Sequence, residues 1–202
     1  MRHDVAHAEH GQRTRAEIIA AARRLVAIHG LAATSLSDVL DAVAISKGAF
    51  YHHFRSKDDL AHAVLASVRA DYQHTIFDTV LQAPQPPGLR WRLLLEQIVS
   101  LNQSGQWDNC LLMAKLAQET AQPIGGDLAL QVTQTLDWII GQWARALEIG
   151  QSAGTVRKDL PPRLMAEMIL WTLYGEVTCR EHQHDLAHLE NTADAFVKLL
   201  SL

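Results

Sequence analysis

The stretch that decides the fold is Ser35-Leu36-Ser37-Asp38-Val39-Leu40-Asp41-Ala42-Val43-Ala44-Ile45-Ser46-Lys47-Gly48-Ala49-Phe50-Tyr51-His52-His53-Phe54-Arg55-Ser56-Lys57. Leu36, Val39, Leu40 and Val43 recur at helical spacing and form one apolar face. Ser35 stands where a cap is needed, and Asp38, three residues on, suits the positive end of a helix. Ala44-Ile45 is a short break. Ser46 offers a second cap, and Lys47 to Phe54 is long enough for two helical turns. Two short helices joined by a tight turn make a helix-turn-helix, whose second helix enters the major groove of DNA.

The residues of the second helix agree. Phe50 and Phe54 are four apart and face inward together. Lys47, Gly48, Ala49, Tyr51 and His53 are left outside. Gly48 costs a helix about 1 kcal/mol, and its small size lets the backbone approach a surface closely. Tyr51, His53, Arg55 and Lys57 are donors suited to phosphate oxygens.

Ser46 to Leu60 closely resembles the recognition helix and following helix start of the TetR family of transcriptional regulators. Ile18 to Ala22, His29-Gly30-Leu31 and Thr34-Ser35-Leu36 fit the same pattern upstream. The rest of the chain matches the family only in length, helical character and layout. The resemblance implies that Lys47, Gly48 and Ala49 face base edges, while Tyr51, His53 and Lys57 grip phosphates. Thr34, Ser35 and Ser37 are expected to add phosphate contacts. The resemblance also implies a homodimer on a double-stranded palindromic operator, with a small-molecule effector. It puts the dimer interface on the last two helices, where Leu164, Met168, Trp171, Thr172 and Gly175 are the central candidates.

Composition sets the bounds. A chain of 202 residues can bury a sizeable core in one or two domains. No apolar run reaches a membrane span, and Met1 to Gln12 has no apolar core of a secretory signal. Cys110 and Cys179 are too few for a disulfide scaffold, so a bacterial-type cytoplasm is the expected location. The net charge is −4. It divides unevenly: residues 1–57 hold 8 Lys and Arg against 5 Asp and Glu, and residues 58–202 hold 10 against 17. A basic head on an acidic body suits a protein that touches DNA at one end.

The periodicity predicts helices throughout, with no alternating strand pattern, so the fold class is all-α. An N-terminal arm and three-helix head over residues 1–57 precede a larger helical ligand-binding and dimerisation bundle over 58–202. Residues 1–12 are expected to fray, and the first helix to span Gln12–His29 with Gly30 as a left-handed cap. Arg13, Arg15 and Arg23 are within reach of phosphates or simply solvate that helix. A fourth helix is expected from Lys57 to about Leu81, followed by a Pro-rich loop. Further helices are expected over Leu89–Gly105, Cys110–Ala121, Asp127–Ala153, Pro162–Cys179 and Leu186–Leu200. The stretch Pro123 to Gly126 reads as a break.

All five tryptophans lie beyond the head. Large aromatics in a bundle are either core or the lining of an apolar cavity. The candidate lining for a small apolar or aromatic effector is Trp107, Cys110, Met113, Trp138, Trp143 and Tyr174. Cys110 sits at a helix start, where the dipole favours a thiolate, so the effector could be an electrophile; the alternative is an inert buried thiol. Glu181, His182, His184 and His188 are of metal-ligand type but lack the context of a zinc site, and they read as solvated, as do His3, His7 and His10. No phosphate loop, nucleophile elbow or zinc-protease signature occurs, so no enzyme activity or cofactor is expected. The competing reading is an all-α small-molecule-binding protein or enzyme with no role on DNA.

Overall fold

The computed structural model describes residues 2–104, 108–121, 126–179 and 187–202. Trp107, the break at 123–125, the polar stretch 181–184 and Leu186 lie outside these residues, as do the side chains of His3 and His7. The helices are α1 (Arg2–His29), α2 (Leu36–Val43), α3 (Lys47–His53), α4 (Lys57–Asp71), α5 (Asp78–Leu81), α6 (Arg90–Gln103), α7 (Asn109–Thr120), α8 (Gly126–Ser152), α9 (Pro162–Cys179) and α10 (Ala187–Leu200). A π-helical segment, Tyr72–Phe77, lies between α4 and α5, and a 3-10 turn, Pro87–Leu89, leads into α6. Among the described residues the one β pairing is an isolated bridge between Val156 and Ser201. The fold is all-α.

Two compact units form. One contains residues 1–69 and 115–132, the other 70–114 and 133–202. Residues 58–69 of α4 and 115–132 belong to the first unit.

In the first unit α1 buries Ile18, Ala22 and Val26, α2 buries Val39, and α4 buries Leu60, Val64 and Val68. Phe50 and Phe54 close the same core at 0% and 1% exposure. Each large apolar side chain so buried is worth about 1.5–3 kcal/mol, and most of this unit's stability comes from that stripe pattern. The first helix starts at Arg2 rather than Gln12. Ala6, Ala8 and Glu9 are good helix formers, and a packed helix downstream removes the cost of nucleation.

The second unit is built around Trp91, Ile98, Met113, Ile139, Trp143 and Ile169, all fully buried. The inner face of α6 is Trp91, Leu94, Leu95 and Ile98, while Leu93, Gln97 and Leu101 are half-buried. The expected helix from Lys57 to Leu81 is also not uniform. Over Tyr72–Phe77 it widens to π geometry, and the Asp78 amide donates to the Gln73 carbonyl. In that register residues i and i+5 share a face. Tyr72 and Phe77 accordingly stack at 6.3 Å, and both are buried.

Candidate functional site

The helix-turn-helix is fastened by its own polar side chains. Ser35 Oγ accepts from the Asp38 amide at 3.1 Å, and Asp38 Oδ2 accepts from the Ser35 amide at 2.7 Å. This reciprocal capping box satisfies two helix-end donors. The Ser35 hydrogen bonds, side chain first, hold the Asp38 carboxyl below its usual range, and the charges of His29 and Lys57 add to this. At the other end of α2, Ala44 adopts a left-handed conformation (φ 53°), and its amide turns back to Leu40 and Asp41. That conformation costs a non-glycine residue about 1–2 kcal/mol and sharpens the turn into α3. Ser46 Oγ then caps α3 by accepting from the Ala49 amide at 3.1 Å.

α3 divides as expected. Phe50 stacks on Phe54 at 5.5 Å, and Arg15 covers the Phe54 ring at 4.9 Å. Lys47, Gly48 and Tyr51 are exposed, and Ala49 and His53 are half-buried. A Cβ on Gly48 would come no closer than 3.8 Å to its neighbours, so packing within the chain does not demand glycine there. Ser35 and Ser37 are exposed. Lys57 is half-buried, with Nζ donating to the Leu31 carbonyl at 2.8 Å.

Thr34 departs from the expectation. It is 3% exposed, and its hydroxyl donates to the Gly30 carbonyl at 2.7 Å. With its single proton committed, it braces the turn and is not a side-chain donor to phosphate. Arg23 also turns inward, donating to Ser67 Oγ at 3.2 Å, while Arg13 stays on the surface beside Glu17.

A residue that sequence reasoning missed holds the turn before α2. Glu119, at the end of α7, accepts from the Leu31 amide at 3.1 Å and the Ala32 amide at 2.8 Å. Gly30, at φ +85°, makes room for it: a Cβ there would lie 1.9 Å from Glu119 Oε1. No sequence signal links positions so far apart.

The described aromatic candidates of the second unit are buried or half-buried. Cys110, Met113 and Trp143 are fully buried, Tyr174 is 4% exposed and Trp138 is half-buried. The Tyr72 hydroxyl lies 3.4 Å from Cys110 Sγ and 3.2 Å from the Tyr174 hydroxyl, and Asn102 Nδ2 reaches Cys110 Sγ at 3.7 Å. Burial pushes both phenols well above their usual range, with Cys110 adding in each case. Trp138 meets Phe77 edge-on at 5.3 Å. A cleft does open in this unit, but its walls are Phe77, Val80, Arg90, Leu94, Gln142, Arg145, Ala146 and Ile149. None of the expected lining residues is among them.

The interface candidates share one open face of α9. Leu164, Met168 and Trp171 are exposed at 44%, 39% and 48%, and Thr172 and Gly175 are exposed beside them. Met165, Ile169 and Leu173 bury the opposite face. No group of His, Cys, Asp and Glu able to hold a metal occurs among the described residues, and Cys179 and His188 are exposed there. No helix among them is long and apolar enough to cross a membrane.

Residues 18–64 match the family profile described as bacterial regulatory proteins, tetR family. The chain is 30% identical over 148 residues to the HTH-type transcriptional repressor NemR of Escherichia coli K12, covering 72% of this chain and 71% of that protein. It is 26% identical over 148 residues to the HTH-type transcriptional repressor DhaR of Mycobacterium sp. strain GP1, covering 73% and 72%. A solved TetR-family transcriptional regulator from Agrobacterium tumefaciens has the same fold, with a TM-score of 0.85 at 20% identity over 95% of this chain and 100% of that one.

Proposed function

This chain belongs to the tetR family of bacterial regulatory proteins and is a DNA-binding transcriptional regulator, and from that premise we propose that it is a homodimeric repressor released from a palindromic operator by a small-molecule effector. The observation that carries the DNA side is the doubly capped helix-turn-helix with Lys47, Gly48 and Tyr51 on its open face. Lys47, Gly48 and Ala49 read base edges. Ser35, Ser37, Tyr51, His53 and Lys57 hold phosphates. Gly48 is small because DNA approaches it, as its own chain leaves space for a larger residue.

A single short recognition helix reads too few bases for a useful site, so two copies are needed. The exposed apolar face of α9 supplies the surface: a row of Leu, Met and Trp in water is a partner-binding pattern. The effector acts by binding one conformation better than the other, and a coupling of about 1–3 kcal/mol would lower operator affinity 5–150-fold.

The test is operator binding by two variants over a range of salt. Lys47→Ala is expected to cost about 1–3 kcal/mol on the best site and to blur one base position. Lys57→Ala is expected to weaken all sequences alike and flatten the salt slope by about 1. Unchanged affinity and sequence preference in Lys47→Ala would refute the base-reading assignment.

A further inference from the structure

The cleft in the second unit has a composition that a merely imperfect core would not have. Phe77, Val80, Leu94, Ala146 and Ile149 make an apolar floor, and two arginines, Arg90 and Arg145, stand among them. The chain supplies neither with an ion-pair partner among the described residues. Arg90 Nε is buried and makes no hydrogen bond. Asp78, the carboxylate beside Phe77 in the chain, is engaged by Gln73 and His74 instead.

The position of Arg90 is also wrong for stability alone. It is the first residue of α6, whose opening turn contains no acidic residue. A helix N-terminus favours anions and disfavours cations, so an acid would serve the fold better there. The turn that leads into Arg90 is nevertheless fastened. Just before it, the Gly88 carbonyl accepts from Thr155 Oγ1 at 2.5 Å. Gly150 of α8 lets this turn come close, since a Cβ there would lie 2.6 Å from Val156 and 3.1 Å from Trp91. A guanidinium with a buried Nε that bonds to nothing among the described residues, set on an apolar cleft with a second, exposed guanidinium in the same wall, suits an anionic group carried on an apolar body.

We propose that this cleft binds a small amphipathic monocarboxylate. Its hydrocarbon part lies on Phe77, Leu94 and Ile149. Its carboxylate accepts from Arg90, and exposed Arg145 adds charge at the mouth. The cleft is partly open, and its volume of ≈ 60 Å³ takes about four water-sized groups, so it covers only part of a short chain or one edge of a ring. That the occupant is the effector rests on the ligand-responsive reading above; that it binds does not.

The experiment is calorimetric titration of the full-length protein with benzoate and hexanoate, and with the matched neutral probes benzamide and hexanamide. At least one carboxylate is expected to bind about tenfold or more tightly than its amide, because hydrogen bonds to charged groups are the strong ones. Arg90→Gln is expected to remove that preference while keeping the helical circular dichroism. Arg145→Gln, at an exposed position, is expected to reduce it several-fold with the melting temperature unchanged. Equal affinity for acid and amide, no binding of either acid, or a carboxylate preference intact in both variants would overturn the proposal. Repeating the titration on operator-bound protein separates the two readings. Carboxylate binding that leaves operator affinity unchanged keeps the site and removes its role as the effector site. Operator release by neutral aromatics alone, with no carboxylate bound, removes the site and keeps the effector reading.

Discussion

Replacing Glu119 by Ala removes a carboxylate that serves two backbone amides of the turn leading into the helix-turn-helix. Its bonds to Leu31 and Ala32, at 3.1 and 2.8 Å, are both charge-assisted. Such bonds contribute about 1.5–3 kcal/mol each when shielded. Here the Ala32 bond is exposed and the Leu31 bond only partly buried, so water replaces much of the loss and about 1 kcal/mol remains for each. About 2 kcal/mol in total is expected. For a chain of this size that lowers the melting temperature by about 4–8 °C. Glu119→Gln retains one acceptor oxygen and turns an NH2 toward the second amide, so about half the loss is expected. Because the turn also positions Thr34 and Ser35, operator affinity should fall in parallel with stability. Thermal unfolding by circular dichroism and a gel-shift titration at fixed salt measure both. A melting temperature within 1 °C of wild type together with unchanged operator affinity would refute the claim that this carboxylate holds the turn.

The remaining predictions use other parts of the same framework. Asp38 ionises at lower pH in the folded chain than its ordinary value of 3.8, so its contribution is present above that value and is lost as pH falls through the folded one. Asp38→Asn should therefore flatten the acid limb of the stability curve below about pH 4, and an unaltered limb would contradict the capping account. Trp171→Asp places a charge on a side chain that is 48% exposed in one copy, so it should leave the fold intact and yield monomers by light scattering. A dimer as tight as wild type would move the interface elsewhere. Trp143→Ala empties a fully buried site and should cost about 3–5 kcal/mol, reducing DNA binding through loss of fold. A melting temperature unchanged in that variant would mean that Trp143 is not core.

The DNA-binding head was legible because its signals are local. Ser35 with Asp38, Ser46 with Ala49, and Phe50 with Phe54 all lie within four residues of one another, and the bonds and contacts form as the spacing suggests. What escaped the sequence was set by partners distant in the chain or by geometry without a residue signature. Ala44 takes a left-handed turn without the glycine that usually marks one. The π turn at Tyr72–Phe77 has no proline or glycine to announce it. Thr34 has the residue type of a phosphate donor, but its hydroxyl donates to the Gly30 carbonyl. Tryptophan content leaves Trp143 as either core or cavity lining, because large aromatics fill space at least as readily as they line it. The cleft beside Ile149 takes its character from Arg90 and Arg145, which the packing of α6 against α8 brings together.

The most direct test of the central claim is a footprint of the full-length protein on the DNA upstream of its own coding region. Two copies presenting one recognition helix each should protect a two-fold symmetric site, with half-site centres about 34–36 Å apart or a multiple of it, and protection should weaken steeply as salt rises. A single unsymmetric protected half-site, or duplex binding indifferent to sequence, would contradict the account.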